Sequence, residues 1–174
     1  MEKASRTFNL LLLASITLAL ISDGANASIA PQTENLESLG SSEGNSPESA
    51  DLTTEVHTAE RNEAGNLVSV TWSIENSGSE RVVLTWLKER SYKYDDQFFS
   101  GTTALGPDKE TRFYPVMDGL GECLCSGKTS NDFRQRLQSD EKIAYWSLFS
   151  IPSDIETLNL EVPNFEPIED IPIS

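Results

Sequence analysis

The stretch SVTWSIENSGSERVVLTWL, residues 69–87, decides the fold class. With Val68 before it, Val70, Trp72 and Ile74 alternate with Ser69, Thr71, Ser73 and Glu75. Side chains that alternate with a period of two put one apolar face on a half-buried strand. Asn76-Ser77-Gly78-Ser79 then supplies turn chemistry. Val82, Val83, Leu84, Thr85, Trp86 and Leu87 follow, apolar on both faces, as for a central strand. The stretch predicts a β-hairpin.

Outward from it, the same pattern recurs. Leu52–Thr58 reads as a first strand, Phe98–Ala104 as a weaker one, and Leu105–Lys109 as a turn. Glu110–Met117 is β-rich but holds Pro115, which has no amide to donate and so points to an edge or bulge. Ile143–Phe149, Thr157–Val162 and Ile171–Ile173 complete the set. Asn131–Gln138 is the one helical candidate, with Phe133 and Leu137 at i, i+4. About seven short strands between turns predict an all-β, antiparallel, immunoglobulin-like β-sandwich. Trp72, Trp86 and Trp146 each have apolar neighbours and are expected in or near its core; a ligand or glycan platform is their alternative use. The Cys…Trp…Cys pattern of antibody domains is absent.

The ends are equally informative. Lys3 and Arg6 precede an uncharged apolar run, Phe8–Ile21, and then Ala25-Asn26-Ala27. A charged n-region, an apolar h-region and an A-x-A site describe a secretory signal peptide, residues 1–27, cleaved after Ala27. Ala30 is a poorer site because Pro31 follows it. The apolar run is too short for a bilayer core, which needs about 20 residues. No cysteine stands near the site to carry a lipid anchor, and no second apolar run gives the mature chain a transmembrane segment. Ser28–Asp51 carries Glu34, Glu37, Glu43, Glu48 and Asp51, no basic residue and no aromatic one. Such a segment buries too little apolar surface to offset its ordering entropy, so residues 28–51 are expected to form a disordered acidic linker. Residues 52–174 make one domain large enough for its own core.

That domain holds 21 acidic and 11 basic residues, a formal charge of −10. Phosphate backbones and anionic membranes repel such a surface, so no nucleic-acid partner is expected. Catalytic signatures are missing. His57 is the only histidine, and G-x-S-x-G, P-loop and G-x-G-x-x-G motifs do not occur. No catalytic residue, cofactor or metal ligand is assigned. Carboxylates crowd Asp95-Asp96, Asp118 with Glu122, and Glu161, Glu166, Glu169 and Asp170. Calcium favours such oxygens, but no D-x-[DN]-x-[DN]-G loop is present, and solvated acids are the plain reading.

Cys123 and Cys125 are the only cysteines, in the Gly-rich stretch GLGECLCSG, residues 119–127. Three readings are open. Export places the thiols in an oxidising compartment with no other partner, which favours a disulfide between them. The ring closed is small, so the bridge would shape a local loop. A redox dithiol would need neighbouring cations to lower a thiol pKa; Lys128 is near, but Asp118 and Glu122 oppose it. A soft-metal site for copper or zinc could add Met117 sulfur.

The string YPVMDGLGECLCSG (114–127) and the closing segment FSIPSDIETLNLEVPNFEPIEDIPIS (149–174) resemble a poorly characterised family of secreted immunoglobulin-like domains from actinobacteria. Tyr114, Cys123–Ser126, Pro152, Val162, Pro163, Phe165, Pro167, Asp170, Ile171, Pro172 and Ile173 carry the resemblance, which spans Leu67–Ser174. Relatives are often lipoproteins or are fused to an OmpA-like peptidoglycan-binding domain, and this chain has neither the lipobox cysteine nor the second domain. The resemblance implies an extracytoplasmic, immunoglobulin-like fold and transfers no activity. The C-terminal PNFEPIEDIPIS is expected as an extended tail along the sandwich, covering an edge strand; a peptide offered to a partner by strand addition is its alternative. The expected function is a secreted, non-enzymatic interaction or accessory module at the cell envelope, with a protein or cell-wall polymer as partner. The alternative is an extracytoplasmic copper-binding or thiol-redox protein built on Cys123 and Cys125.

Overall fold

The fold is seen in a computed structural model that describes residues 37–88, 99–126 and 136–174. Among these described residues ten strands follow in chain order: β1 (Gly40–Glu43), β2 (Leu52–Arg61), β3 (Leu67–Asn76), β4 (Val82–Val83), β5 (Thr103–Leu105), β6 (Arg112–Phe113), β7 (Arg136–Leu137), β8 (Glu141–Ser150), β9 (Thr157–Glu161) and β10 (Ile168–Pro172). One sheet runs β1-β2-β3-β8, a second β10-β9-β5-β6, and β4 and β7 pair apart from both. All pairings are antiparallel. The molecule is an antiparallel β-sandwich.

The alternation read in residues 68–75 is the inner face of β3. Val68, Val70, Trp72 and Ile74 are fully buried. Trp72 lies between Val56 and Tyr145 in register, its ring 5.0 Å from that of Tyr145. Phe99 meets Tyr145 edge-on, also at 5.0 Å. The second sheet answers with Ala104, Leu158, Leu160, Ile168 and Ile171. Burying an aromatic or aliphatic side chain of this size contributes about 1.5–3 kcal/mol. Trp86 is half-buried and packs on this core, while Trp146 lies opposite Thr71 on the outer face of its sheet. The core expectation therefore holds for Trp72, in part for Trp86, and not for Trp146.

The hairpin expected over residues 69–87 does not form. β3 pairs along its whole length with β2 on one side and β8 on the other, so no edge remains for Val82–Leu87. The hairpin lies one turn earlier, between β2 and β3. There Asn62 Oδ1 accepts from the amides of Asn66 and Leu67, and Gly65 takes φ +80. Beyond β3, Val82–Val83 pairs with Arg136–Leu137, and Thr85–Leu87 is a 3-10 turn. Leu84 and Leu87 are fully buried, as their apolarity required, but not in a strand.

The linker expectation is overturned in its second half. Gly40–Glu43 pairs with Val56–Thr53 as an edge strand. Asn45 N donates to Asn164 O at 2.9 Å, and the fully buried Ser49 donates through Oγ to the same oxygen at 2.6 Å. Composition predicted disorder because this segment has almost no apolar side chains. Its main-chain groups and serine hydroxyl supply the attachment instead, and Gly40 lies against Ile168 and Ile171 closely enough that a Cβ would stand 2.7 Å from Ile168 Cγ2. Residues 28–36 lie outside the described residues, as does the segment expected to be a signal peptide.

Three smaller differences follow the same logic. The helix expected over Asn131–Gln138 ends in strand β7, and its first five residues lie outside the described set. The C-terminal segment does not cover an edge strand; β10 is itself the edge, and Gly44 and Phe165 bridge across to the first sheet. Glu110–Met117 forms strand only at Arg112–Phe113. The turn before it is fixed by Asp108, whose carboxylate accepts from the Thr111 amide and hydroxyl and from the Glu110 amide; these bonds hold its pKa below the usual 3.8.

Candidate functional site

Tyr114 stands where the chain leaves one sheet for the other. Phe113 pairs with Ala104 in the second sheet, and Pro115 bridges Phe149 of β8 in the first. Pro115 needs no amide acceptor at such a corner. From there the chain runs out and back along the β8 edge. Val116 N donates to Leu148 O, Leu148 N to Leu124 O, Leu124 N to Val116 O, and Ser126 N to Trp146 O. Met117 and Cys123 bridge near the outer end, and Cys125 bridges Ser147.

Cys123 and Cys125 lie on the returning leg. Residues two apart on an extended segment share a face, and the two sulfurs are joined at 2.07 Å with the Cα atoms 5.3 Å apart. Both residues are fully buried. Bonded to each other, the sulfurs offer no thiolate to a metal or an oxidant in this form.

The tip between the legs is held by one side chain. Asp118 Oδ1 accepts from the amides of Leu120 at 2.8 Å and Glu122 at 2.9 Å. Asp118 N donates to Glu122 O, and Gly121 N to Asp118 O. Gly121 sits at φ +82, which an L side chain adopts only with strain. The acids that made this stretch look like a cation site are therefore turn-forming groups in the case of Asp118. Leu120, between two glycines, is 87% exposed. Tyr114 and Met117 are each 41% exposed. Of five large apolar side chains exposed among the described residues, three belong to this segment.

His57 is the extra residue of a bulge, where β2 slips one place between Val56 and Thr58 against β3. Val56 faces the core, so alternation puts the imidazole on the outer sheet face, where its Nε2 lies 2.8 Å from Ser73 Oγ. Sequence reading did not pair these two, because no local pattern gives the β2–β3 register that sets Glu55 opposite Ser73. Ser73 is fully buried, and His57 Nδ1 has no partner of hydrogen-bonding geometry among the described residues. Nothing from solvent reaches the Ser73 hydroxyl in this arrangement, and among the described residues no carboxylate bonds to the ring as the third member of a triad. Burial lowers the His57 pKa from its usual 6.5, and Lys142 adds to this; Glu55 and the main chain of Glu37 act the other way more weakly. Lys142 is ion-paired with Glu55 and lies 3.6 Å from Glu75.

A second constellation joins residues far apart in sequence. Pairing of β5 with β6 and β9 brings Thr103, Arg112 and Glu161 to the rim of a groove of about 310 Å³. Arg112 is ion-paired with Glu161. Sequence reading singled out Glu161 only as one of several C-terminal acids. Among the described residues no three His, Cys, Asp or Glu side chains gather as a metal would need; Asp95 and Asp96 lie outside that set.

No family model matches the chain, and no curated protein matches it. Among solved structures it is similar to a functionally unknown protein from Listeria monocytogenes EGD-e, with 13% identity over 79% of this chain and 85% of that one, at a TM-score of 0.39.

Proposed function

We propose that the chain is exported and acts as a non-enzymatic interaction or accessory module at the cell envelope, touching its partner through the Tyr114–Glu122 turn. The observation that carries this reading is Leu120. Leaving a leucine in water forgoes about 1.5–3 kcal/mol of burial. A turn closed by four hydrogen bonds, with glycine on either side, holds that side chain out where a partner can cover it at little ordering cost. Tyr114 and Met117 extend the apolar contact, and such anchors in a well-ordered setting dominate binding energy at interfaces. The signal-like N-terminus supports export, and no helix of the described residues is long and apolar enough to cross a membrane. The copper or thiol-redox alternative has less support, because both sulfurs are buried and bonded together.

The test has two parts. N-terminal sequencing of exported protein is expected to begin at Ser28; an intact Met1 on that protein contradicts the cleavage. A photo-crosslinker at Leu120 is expected to form a specific adduct in envelope fractions, and one at Gly65 is not. Leu120→Ser is expected to release the protein from those fractions with unchanged folding. Equal adducts at both sites, or retention of the variant, refutes the reading.

A further inference from the structure

We propose that the groove between the β5–β6 rim and the Pro163–Pro167 segment binds a neutral, hydroxyl-rich ligand: one ring-sized unit of a saccharide chain. It is built from residues other than those of the Leu120 turn, and the inference does not rest on that contact.

The groove is preformed. Pro163 and Pro167 fix two backbone angles along one wall. Asn164 between them takes φ +66, a left-handed conformation open to asparagine. Two hydrogen bonds to its carbonyl, from Asn45 N and Ser49 Oγ, hold it there. Gly101 on the facing side has no room for a side chain, since a Cβ would stand 2.7 Å from Leu87 O and 2.9 Å from Pro163 Cγ. Phe165 forms the base, 5% exposed and backed by the Trp86 ring at 6.0 Å. The indole N–H of Trp86 has no partner among the described residues. A volume of about 310 Å³ stands at the lower end of small-molecule sites, which span about 300–1,000 Å³.

The rim chemistry selects the ligand. Arg112 Nη1 donates to Thr103 Oγ1 at 2.9 Å, Thr103 Oγ1 donates to Glu161 Oε2 at 2.9 Å, and Arg112 Nη2 donates to Glu161 Oε1 at 3.2 Å. The three groups close a ring whose net charge is zero. An ionic ligand meets no net charge in that ring, and the pair is partly exposed, at 43% and 25% of its side-chain surface, so charge gives such a ligand no advantage there. An anion would also meet a chain of formal charge −15. A hydroxyl group need open nothing. Arg112 retains N–H donors outside the ring, and the Glu161 carboxylate retains lone pairs, so vicinal hydroxyls find a donor and an acceptor side by side. The Pro163 and Pro167 rings along the wall offer apolar surface to the C–H face of a sugar ring.

The test is an amide-resolved NMR titration of the mature protein with neutral tetrasaccharides of glucose, N-acetylglucosamine, mannose and galactose. Each is taken to about 10 mM, above the millimolar Kd of a weak site. A tetragalacturonate and a neutral tetrapeptide serve as competitors of other chemistry. At least one neutral saccharide is expected to shift Thr103, Arg112, Glu161 and Phe165 saturably. Glu161→Gln, which keeps the shape of the side chain, is expected to weaken that binding about tenfold, the value of one hydrogen bond to a charged group. The inference is overturned if no neutral saccharide shifts these amides, if only the charged oligomer or the peptide does, or if Glu161→Gln binds as tightly as the parent. Loss of the groove would leave the Leu120 contact standing, because Leu120→Ser touches no residue of the rim.

Discussion

Gly44→Ala separates an acidic tether from a structural strand. At position 44 a Cβ would stand 1.8 Å from the Ser49 carbonyl oxygen and 2.4 Å from its carbon. Non-bonded carbon atoms rest near 3.5 Å, so the Asn45–Ser49 turn must move by about 1.5 Å or more. Backbone cannot swing aside as a side-chain tip can. The move breaks or bends three hydrogen bonds that fasten the segment: Gly44 N to Leu52 O at 3.0 Å, Asn45 N to Asn164 O at 2.9 Å, and Ser49 Oγ to Asn164 O at 2.6 Å. At about 0.5–1.5 kcal/mol each, the expected loss is ~2–4 kcal/mol. For a chain of this size that lowers Tm by roughly 6–12 °C, read by calorimetry. Gly119→Ala is the control, since nothing lies within 4 Å of a Cβ there; it is expected to be neutral or stabilising by a few tenths of a kcal/mol, about the scale of such exchanges. If Gly44→Ala melts within about 2 °C of the parent, well under that scale, the segment is not packed against Asn164 and the edge-strand assignment is wrong.

Three further outcomes are expected. The folded-state pKa of His57 lies below 6.5, so the unfolded chain binds the proton more readily; stability is full above 6.5 and falls as pH drops from there towards the folded pKa. His57→Gln should flatten that part of a urea-midpoint-versus-pH curve, and an unchanged slope would show that the ring is not buried neutral. Intact mass of the mature protein under native conditions should show two hydrogens fewer than the free thiols and no adduct after alkylation, because Cys123 and Cys125 are bonded and fully buried; two added alkyl groups would contradict the bridge. Asn76→Ala removes side-chain bonds to Glu80 O at 2.8 Å, Gln138 O at 3.0 Å and the Gly78 amide at 3.0 Å from a fully buried position. A loss of ~2–4 kcal/mol is expected, seen as a lower urea midpoint at constant m-value; a midpoint that does not move would mean Asn76 does not link β3 to the loops beyond it.

Sequence alone determined the class of fold. Val68, Val70, Trp72 and Ile74 alternate because a strand with one face inward must, and the same rule located β8 and β9 to within a few residues. It also singled out Cys123 and Cys125 as a candidate disulfide in a Gly-rich stretch. Tertiary structure decided which strands are neighbours. Residues 69–87 carry every local sign of a hairpin, yet β3 is paired on both edges by strands of ten residues, and Val82–Leu87 has nowhere to join it. Residues 40–49 carry no sign of order, because main-chain hydrogen bonding and a serine hydroxyl leave no trace in an apolar pattern. The His57–Ser73 contact depends on the pairing of β2 with β3, and the Thr103–Arg112–Glu161 ring on cross-strand pairs up to 58 positions apart. Periodicity reports which way a side chain faces. Only the pairing of strands fixes what it meets there.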